Sequence, residues 1–351
     1  AIVGDYLYVH GGVNISRNST KNPSNGLFRI KVAPEIGVWT NLTSTESPAL
    51  SQHACIGFLN RYLIFIGGWN GQIRTPGIHT YDIESQKWLP PALCEPLLKG
   101  FPQGAGLSAH TATEMKSVGP RNTFSAFIIG REGSLRMQRR SGNIYLLYGN
   151  VPDGSSSGAA RYTYCEASPQ LSASSRSYHS STALSTNTLV TLGGRNDRPV
   201  ELVSWSRSTG RRPSTDWPGE LVFPQGRCPL VSSLIHEIRS NKLSTAKPSS
   251  SNQSCSRGHA AIPGDGGVLV SGGDGFNALV RDPLDTAYAF VYNDAEKKGV
   301  LYNVGKLLNP RAYAVYGVHD SEGTAWLHGG IGPGGKAQNT LLKLERLRPD
   351  E

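Results

Sequence analysis

The chain has 351 residues, including 41 glycines and 22 prolines, and is 38% hydrophobic and 17% charged. This mixture suits many short strands joined by turns and excludes a helical bundle. The 35 Lys and Arg residues outnumber the 26 Asp and Glu residues, which gives a net charge of +9 and favours acidic partners. Because the arginines are spread through loops rather than concentrated in a basic tail, we expect no nucleic-acid ligand.

The sequence also bears on the compartment. No run of about 18 apolar residues occurs, so we predict no membrane-spanning helix. The five cysteines show neither a CxxC pair nor a regular disulfide ladder. They therefore predict a reducing compartment, and we expect a cytoplasmic location.

Taken in chain order, the dominant pattern is an apolar run that ends in a glycine doublet. It recurs about every 60 residues, a period typical of solenoids and propellers. The doublets end at Gly12, Gly68, Gly194, Gly273 and Gly330. The segment FSAFIIGRE, ending at Glu132, fills the slot of a sixth, with Arg131 in place of the second glycine.

A second signal lies roughly 10 to 20 residues before each doublet from the second onward. It places a histidine or tyrosine at His53, His110, His179, His259 and Tyr313. Aromatic residues such as Trp39 and Trp88 close several units. Each unit thus reads as four short strands, and only glycine readily takes the backbone conformation required after the second strand.

These features resemble the kelch repeat, and the resemblance implies an all-β, six-bladed kelch β-propeller over residues 1–351, with a long, partly helical insertion between blades 4 and 5. The expected blades are about 1–44, 51–92, 107–149, 160–206, 257–304 and 310–347, and the insertion is 207–256. The last blade needs an outer strand to protect its edge, so we expect roughly 15 to 25 residues before Ala1 to supply it.

A closer resemblance lies in the middle of the chain. The segments GGWNGQ, GLSAHTAT, GREGSLRMQRRSGNIYLL and RYTYC…ASSRSYHSSTAL are similar to the kelch domain-containing protein 9 family. The similarity extends over roughly residues 50 to 195 and is weak after residue 200.

No motif predicts catalysis, a metal or a cofactor. The repeated histidines occupy one slot on successive blades, so we interpret them as packing and hydrogen-bonding residues. Kelch propellers that are copper oxidases need a Tyr–Cys crosslink with further Tyr and His ligands, and no such set matches this chain. The segment GPGGK at 332–336 lacks the spacing of a phosphate-binding loop.

The candidate binding residues are arginines in two kinds of loop. Kelch binding faces combine the loop after the doublet with the turn into the next first strand, and convergent arginines there hold carboxylates. The predicted ligand-binding set is Arg74, Arg131, Arg136, Arg139, Arg140, Arg176, Arg195, Arg198, Arg257, Arg281 and Arg311. Local ion pairing with neighbouring acids is the alternative for each of them.

The insertion holds a second candidate surface. Apolar residues recur at helical spacing at Leu230, Leu234, Ile235 and Ile238, which predicts an amphipathic helix over about 229–242. It either packs on the side of the propeller or docks a partner.

These observations predict a non-enzymatic protein-interaction scaffold or adaptor that binds an acidic protein segment through a basic loop face, within a larger complex. One alternative is a structural subunit of a cytoskeletal assembly such as the ciliary axoneme. Another is a substrate receptor of a cullin-type ubiquitin ligase.

Overall fold

A computed structural model describes residues 1–13, 22–90, 106–115, 120–130, 144–152, 158–168, 177–184, 188–194, 200–204, 214–216, 221–222, 238–239, 257–264, 267–274, 283–293, 298–307, 309–319 and 324–344. By their contacts they form two compact units, unit 1 (Ala1–Ser177) and unit 2 (Tyr178–Glu351).

The described part of unit 1 forms three antiparallel sheets of four strands each. The strands are β1 (Ile2–Val3), β2 (Tyr6–His10), β3 (Leu27–Lys31), β4 (Thr40–Asn41), β5 (Ala54–Phe58), β6 (Tyr62–Ile66), β7 (Ile78–Asp82), β8 (Lys87–Trp88), β9 (Thr111–Glu114), β10 (Thr123–Ile129), β11 (Ile144–Asn150) and β12 (Arg161–Ser168). In each sheet, strands that follow one another in the chain are neighbours.

The described part of unit 2 forms three further sheets. The strands are β13 (Ser180–Ala183), β14 (Thr188–Leu192), β15 (Val200–Ser204), β16 (Ser214–Asp216), β17 (Leu221–Val222), β18 (Ile238–Arg239), β19 (Ala260–Gly264), β20 (Gly267–Ser271), β21 (Thr286–Asn293), β22 (Lys298–Leu307), β23 (Val315–His319), β24 (Thr324–His328) and β25 (Leu341–Leu344). The sheet of β19–β22 also takes β17 and β18 on β22.

The six sheets agree with the predicted all-β blades. The second strands β2, β6, β14, β20 and β24 each lead into a glycine doublet. The third sheet extends further than the sequence pattern predicts, because β12 is its outer strand and the fourth sheet begins at Ser180. The antiparallel pairing of β12 with β11 places this strand in the third sheet, and Tyr162 and Tyr164 on β12 are buried in one cluster with Phe124.

The helix predicted over residues 229–242 is wrong at Ile238. This residue lies in β18, where it pairs with Leu307 of β22. The strand β22 presents backbone groups that Ile238–Arg239 can pair with, and apolar spacing over so short a segment does not distinguish a helix from a strand. The other three helix positions, Leu230, Leu234 and Ile235, lie outside the described residues.

The core of unit 1 lies between neighbouring sheets. Phe58 of the second sheet meets Phe124 of the third, with ring centroids 5.4 Å apart. Leu27 of the first sheet shares a buried cluster with Phe65 and Trp88 of the second. In unit 2 similar apolar clusters form between β14 and β20 and between β19 and β24. Burial of these faces holds adjacent sheets together.

Three of the doublets also join one sheet to the next through backbone hydrogen bonds. In each of them the second glycine donates a hydrogen bond to a carbonyl just before the next first strand: Gly12 to Leu50 (2.9 Å), Gly68 to Leu107 (2.7 Å) and Gly273 to Arg311 (2.8 Å). The first glycine lies against the same group, since a Cβ built on Gly11 would overlap the Leu50 oxygen. The doublet therefore marks a close approach between sheets that no side chain can enter.

The residue before the repeated histidine slot has a left-handed backbone at five places. These residues are Gln52 (φ 57), Ala109 (φ 53), Tyr178 (φ 58), Gly258 (φ 65) and Tyr313 (φ 60). The fifth slot therefore falls at Ala314, one residue after the Tyr313 that the sequence pattern predicts. Their backbones also join neighbouring sheets: Ala109 donates to Gln52 (2.8 Å), Gly258 to Tyr178 (2.7 Å) and Tyr313 to Gly258 (2.6 Å). This conformation is uncommon for residues other than glycine, so the repeated signal encodes a turn as well as a histidine.

A matched pair of substitutions tests the close approach. Gly11 (φ 68) abuts Leu50, whereas a Cβ on Gly12 (φ 90) would meet nothing within 4 Å. We expect Gly12→Ala to lower the free energy of unfolding by about 1–2 kcal/mol, the cost of the left-handed backbone. Gly11→Ala should cost more than about 3 kcal/mol because a backbone oxygen must also move. Denaturant unfolding measures both, and equal losses would contradict the role of the contact.

Candidate functional site

The candidate site lies at the end of the strands where the doublets lead into loops. In unit 1 we define the unit 1 loop surface as residues 12–13, 22–26, 50–53, 69–77 and 106–109. After two of the doublets, single bridges extend the sheet: Trp69 pairs with Ser51 and Arg74, and Asp274 pairs with Arg257 and Pro283. Arg74 in unit 1 and Arg257 in unit 2 are thus each a bridge partner of the residue that follows a doublet.

Arg74 is partly exposed and held in place on the unit 1 loop surface. Its Nε donates a hydrogen bond to Ser108 Oγ (2.7 Å), and its guanidinium lies 5.9 Å from the centroid of the Trp69 ring. Ser108 is buried, and the backbone beside it is docked by a hydrogen bond from Leu107 to Thr75 (3.3 Å). A residue of one blade therefore positions the arginine of another.

The loop that carries Arg74 is ordered by Asn70. Asn70 Oδ1 accepts hydrogen bonds from the backbone N–H groups of Gln72 (3.0 Å) and Ile73 (2.8 Å). The Asn70 N–H donates in turn to the Ile73 carbonyl (3.1 Å). Such turns hold their shape without a partner, so the loop presents Arg74 in a prepared conformation.

Arg257 lies in a charge cluster of unit 2. Its Nε (3.1 Å) and Nη2 (2.7 Å) both donate to Asp274 Oδ2. Tyr313 OH donates to the same oxygen (3.1 Å), and the Tyr313 ring packs edge-on against Tyr178 at 5.2 Å. Asp274 is buried and Arg257 is partly exposed. Much of the Arg257 charge is therefore already neutralised within the protein.

Arg311 is buried and serves the fold. Its Nη1 donates to the carbonyls of Gly329 (3.1 Å) and Thr340 (2.9 Å), and its Nη2 donates to Thr340 Oγ1. Its own carbonyl accepts the Gly273 N–H. These contacts leave Arg311 out of the candidate binding surface. The other eight candidates, Arg131, Arg136, Arg139, Arg140, Arg176, Arg195, Arg198 and Arg281, lie outside the described residues.

Three further residues of the unit 1 loop surface were not predicted from the sequence. Trp69 is partly exposed, and Ile73 and Val13 are exposed. A prediction that selects residues by positive charge does not include apolar residues. The available signal was the segment GGWNGQIR, in which an Asn-Gly turn places a tryptophan and an isoleucine beside the arginine.

The repeated histidines pack between sheets. His110, His179 and His259 are buried, and His259 Nε2 lies 2.8 Å from Ser180 Oγ. His10 Nδ1 lies 3.2 Å from His53 Nε2. Burial lowers the pKa of His10 and of His110 to about 4. It also holds the pKa of His53 well below its usual range, so these rings are neutral at pH 7.

The described residues contain no group of three or more His, Cys, Asp or Glu side chains placed to hold a metal ion. Within the same ranges no helix has the length and apolar character needed to cross a membrane.

Comparison with known proteins finds partial similarity to kelch domain-containing proteins. No family model matches the chain. It is 31% identical over 145 residues to Kelch domain-containing protein 9 of Mus musculus, a match that covers 40% of this chain and 36% of the relative. It is 30% identical over 211 residues to Kelch domain-containing protein 9 of Homo sapiens, which covers 57% of this chain and 53% of the relative. The chain thus spans about half or less of the length of the curated relatives it matches, and the predicted resemblance is confirmed.

A solved structure supports the fold over the whole chain. The structure titled "Structure of YjhT" superposes with a TM-score of 0.63 at 13% sequence identity and covers 99% of this chain and 96% of its own. At this identity the likeness shows the fold alone. It confirms the predicted all-β propeller.

A double-mutant cycle tests the ion pair of unit 2. Asp274→Asn or Arg257→Gln should each lower the free energy of unfolding by about 1–3 kcal/mol, because each leaves a partly buried charge without its partner. The double variant should lose less than the sum of the two. Denaturant titration measures the coupling. Losses that add within about 0.5 kcal/mol would contradict the pairing.

The buried histidines predict loss of stability in mild acid. Because their folded pKa values lie below the unfolded value of about 6.5, the unfolded chain binds more protons as the pH falls from 6.5 towards 4. Each histidine should lower the free energy of unfolding by up to about 1.4 kcal/mol per pH unit in this window. Urea titrations at several pH values measure the slope. His110→Gln should flatten it, and an unchanged slope would count against the assignment.

Proposed function

We propose that this chain is a non-enzymatic protein-interaction module, a scaffold or adaptor that binds an acidic segment of a partner protein through its loop surfaces. The observation that carries the proposal is Arg74. This partly exposed guanidinium is anchored by Ser108 and lies beside the Trp69 ring at the end of a doublet loop.

An anchored arginine suits carboxylate recognition. A guanidinium can donate two parallel hydrogen bonds to one carboxylate. Because the Ser108 contact and the turn at Asn70 already restrict Arg74, binding costs less side-chain entropy than it would for a free surface arginine. The net charge of +9 would also speed the encounter with an acidic partner.

The arginines contribute unequally to this proposal. Arg74 is its centre, Arg257 is secondary because Asp274 neutralises it, and Arg311 is excluded by its burial. The eight arginines outside the described residues belong to the proposal through their sequence positions.

The interaction role is also supported by similarity to Kelch domain-containing protein 9, because kelch propellers act in general as rigid frames that display loops. The described polar clusters around Arg257 and Arg311 are bonded internally, which suits a rigid binding surface better than acid–base chemistry. On this proposal the partner is another protein in the cytoplasm and the chain works within a larger complex. An axonemal subunit would copurify with axonemal proteins, whereas a ubiquitin-ligase receptor would copurify with cullin and its adaptors.

Charge reversal on the second blade tests the proposal. Arg74→Glu should reduce recovery of the chain's partners from a native-tissue lysate at least about tenfold, since it repels the carboxylates it should attract. Lys87→Glu is the matched control, because Lys87 is exposed on the outer strand β8. Affinity purification with quantitative mass spectrometry measures both. Raising the salt to about 300 mM should weaken the wild-type interactions, because salt screens exposed charges.

The outcome also identifies the complex. Axonemal proteins, or cullin and its adaptors, among the Arg74-dependent partners would choose between the two specific roles. Equal recovery of every partner by the wild-type chain and the Arg74→Glu variant would contradict the loop surface as the binding site.

A further inference from the structure

The unit 1 loop surface exposes aliphatic side chains beside its arginine. Ile73, adjacent to Arg74 in the chain, is 56% exposed, and Val13 is 44% exposed. By contrast, Leu63 and Ile64 on the strand that leads into this loop are fully buried. A single exposed apolar residue needs no explanation, but aliphatic residues on ordered loops beside an anchored arginine form the kind of mixed surface on which interfaces depend.

Val13 and Ile73 belong to loops that touch each other. Val13 bridges to Pro23, and a Cβ built on Gly71 would lie 3.4 Å from the Pro23 ring. Gly71 is two residues from Ile73, and its loop is held by the turn at Asn70. The chain segments that carry Val13 and Ile73 therefore meet at Pro23 and Gly71.

The charge of this surface is one-sided. Within residues 12–13, 22–26, 50–53, 69–77 and 106–109, Arg74 is the one Lys or Arg residue, and these ranges contain no Asp or Glu. An apolar patch beside a guanidinium held by Ser108 complements a ligand that carries a carboxylate next to an apolar group.

We propose that the unit 1 loop surface binds a short peptide segment in which an acidic residue stands next to a bulky aliphatic or aromatic residue. The carboxylate binds Arg74, and the apolar side chain covers Ile73 and Val13. This inference rests on the proposed function and adds a specificity: acidity alone is insufficient. Burying one large apolar side chain strengthens binding by tenfold or more, so the apolar residue separates true partners from other acidic chains.

A peptide fits these observations better than an anionic membrane. Membrane surfaces are bound by several basic residues that act together, because each contributes little alone. Here one arginine is fixed by a side-chain hydrogen bond and lies beside one aromatic ring. That geometry suits a single carboxylate at a defined distance from an apolar side chain.

Fluorescence anisotropy with the intact chain and three labelled peptides tests the proposal. One peptide carries Glu in a Gly/Ser background, the second carries Glu-Leu pairs at the same total charge, and the third carries Leu without Glu. We expect the Glu-Leu peptide to bind about tenfold more tightly than the Glu peptide, and the Leu peptide to bind least. Ile73→Ser should remove the tenfold gain and leave the Glu peptide unaffected, whereas Arg74→Gln should weaken both acidic peptides.

Two control variants match these changes. Leu59→Ser removes another exposed apolar residue, 41% exposed, in the turn between β5 and β6. Lys87→Glu changes a charge on the outer strand. Both should bind the Glu-Leu peptide as the wild-type chain does. The thermal melts of Ile73→Ser and of both controls should match that of the wild type because these side chains are exposed.

The outcomes separate the two proposals. If acidic peptides bind through Arg74 but leucine adds nothing, or Ile73→Ser keeps the gain, the inference is overturned while the proposed function stands. If no acidic peptide binds, both are overturned. Sedimentation with vesicles containing about 30% phosphatidylserine tests an anionic lipid surface as the alternative ligand. Binding to these vesicles that depends on Arg74 and Ile73, without peptide binding, would replace the peptide by an anionic lipid surface.

Discussion

The contact of three glycine doublets, at Gly12, Gly68 and Gly273, with the backbone before the next first strand is the constraint on which the rest of the structure depends. The first glycine lies against a carbonyl oxygen that a side chain would overlap, as Gly11 does at Leu50, and the second donates a hydrogen bond to the same oxygen. Apolar clusters supply most of the driving force between sheets, but they are not directional. The doublet contact sets how closely, and in which register, one sheet meets the next.

The same contact assembles the candidate site. Because the Gly68 hydrogen bond brings the backbone at Leu107 against the second sheet, Ser108 comes within reach of Arg74, which follows the doublet by only a few residues. In unit 2 the equivalent contact of Gly273 places Asp274 beside Arg257 and Tyr313. The contact that joins two sheets therefore also positions the candidate site. It restrains the loops next to it, and restrained loops bind at a lower entropic cost.

Arginines at equivalent ends of the strands have different roles because their neighbours differ. The partner of Arg74 is the neutral side chain of Ser108, whereas the partner of Arg257 is the charged side chain of Asp274. The Arg311 guanidinium donates hydrogen bonds to backbone carbonyls and to the Thr340 hydroxyl inside the protein. The number of loop arginines is therefore larger than the number that face a partner. The exposed apolar residues of the unit 1 loop surface add a specificity that charge alone does not give.

The sequence by itself determined the fold class and the position of each described doublet, because a close approach such as that of Gly11 to Leu50 admits no side chain. The glycine that this contact requires recurs with the period of the repeat. The sequence also placed Arg74 in a loop after a doublet. Tertiary structure alone decided that Tyr162 lies in the third sheet, that Ile238 pairs in a strand with Leu307, and that Arg311 is buried. The physical reason is that strand pairing and charge neutralisation depend on partners far away in the chain, which local spacing does not record.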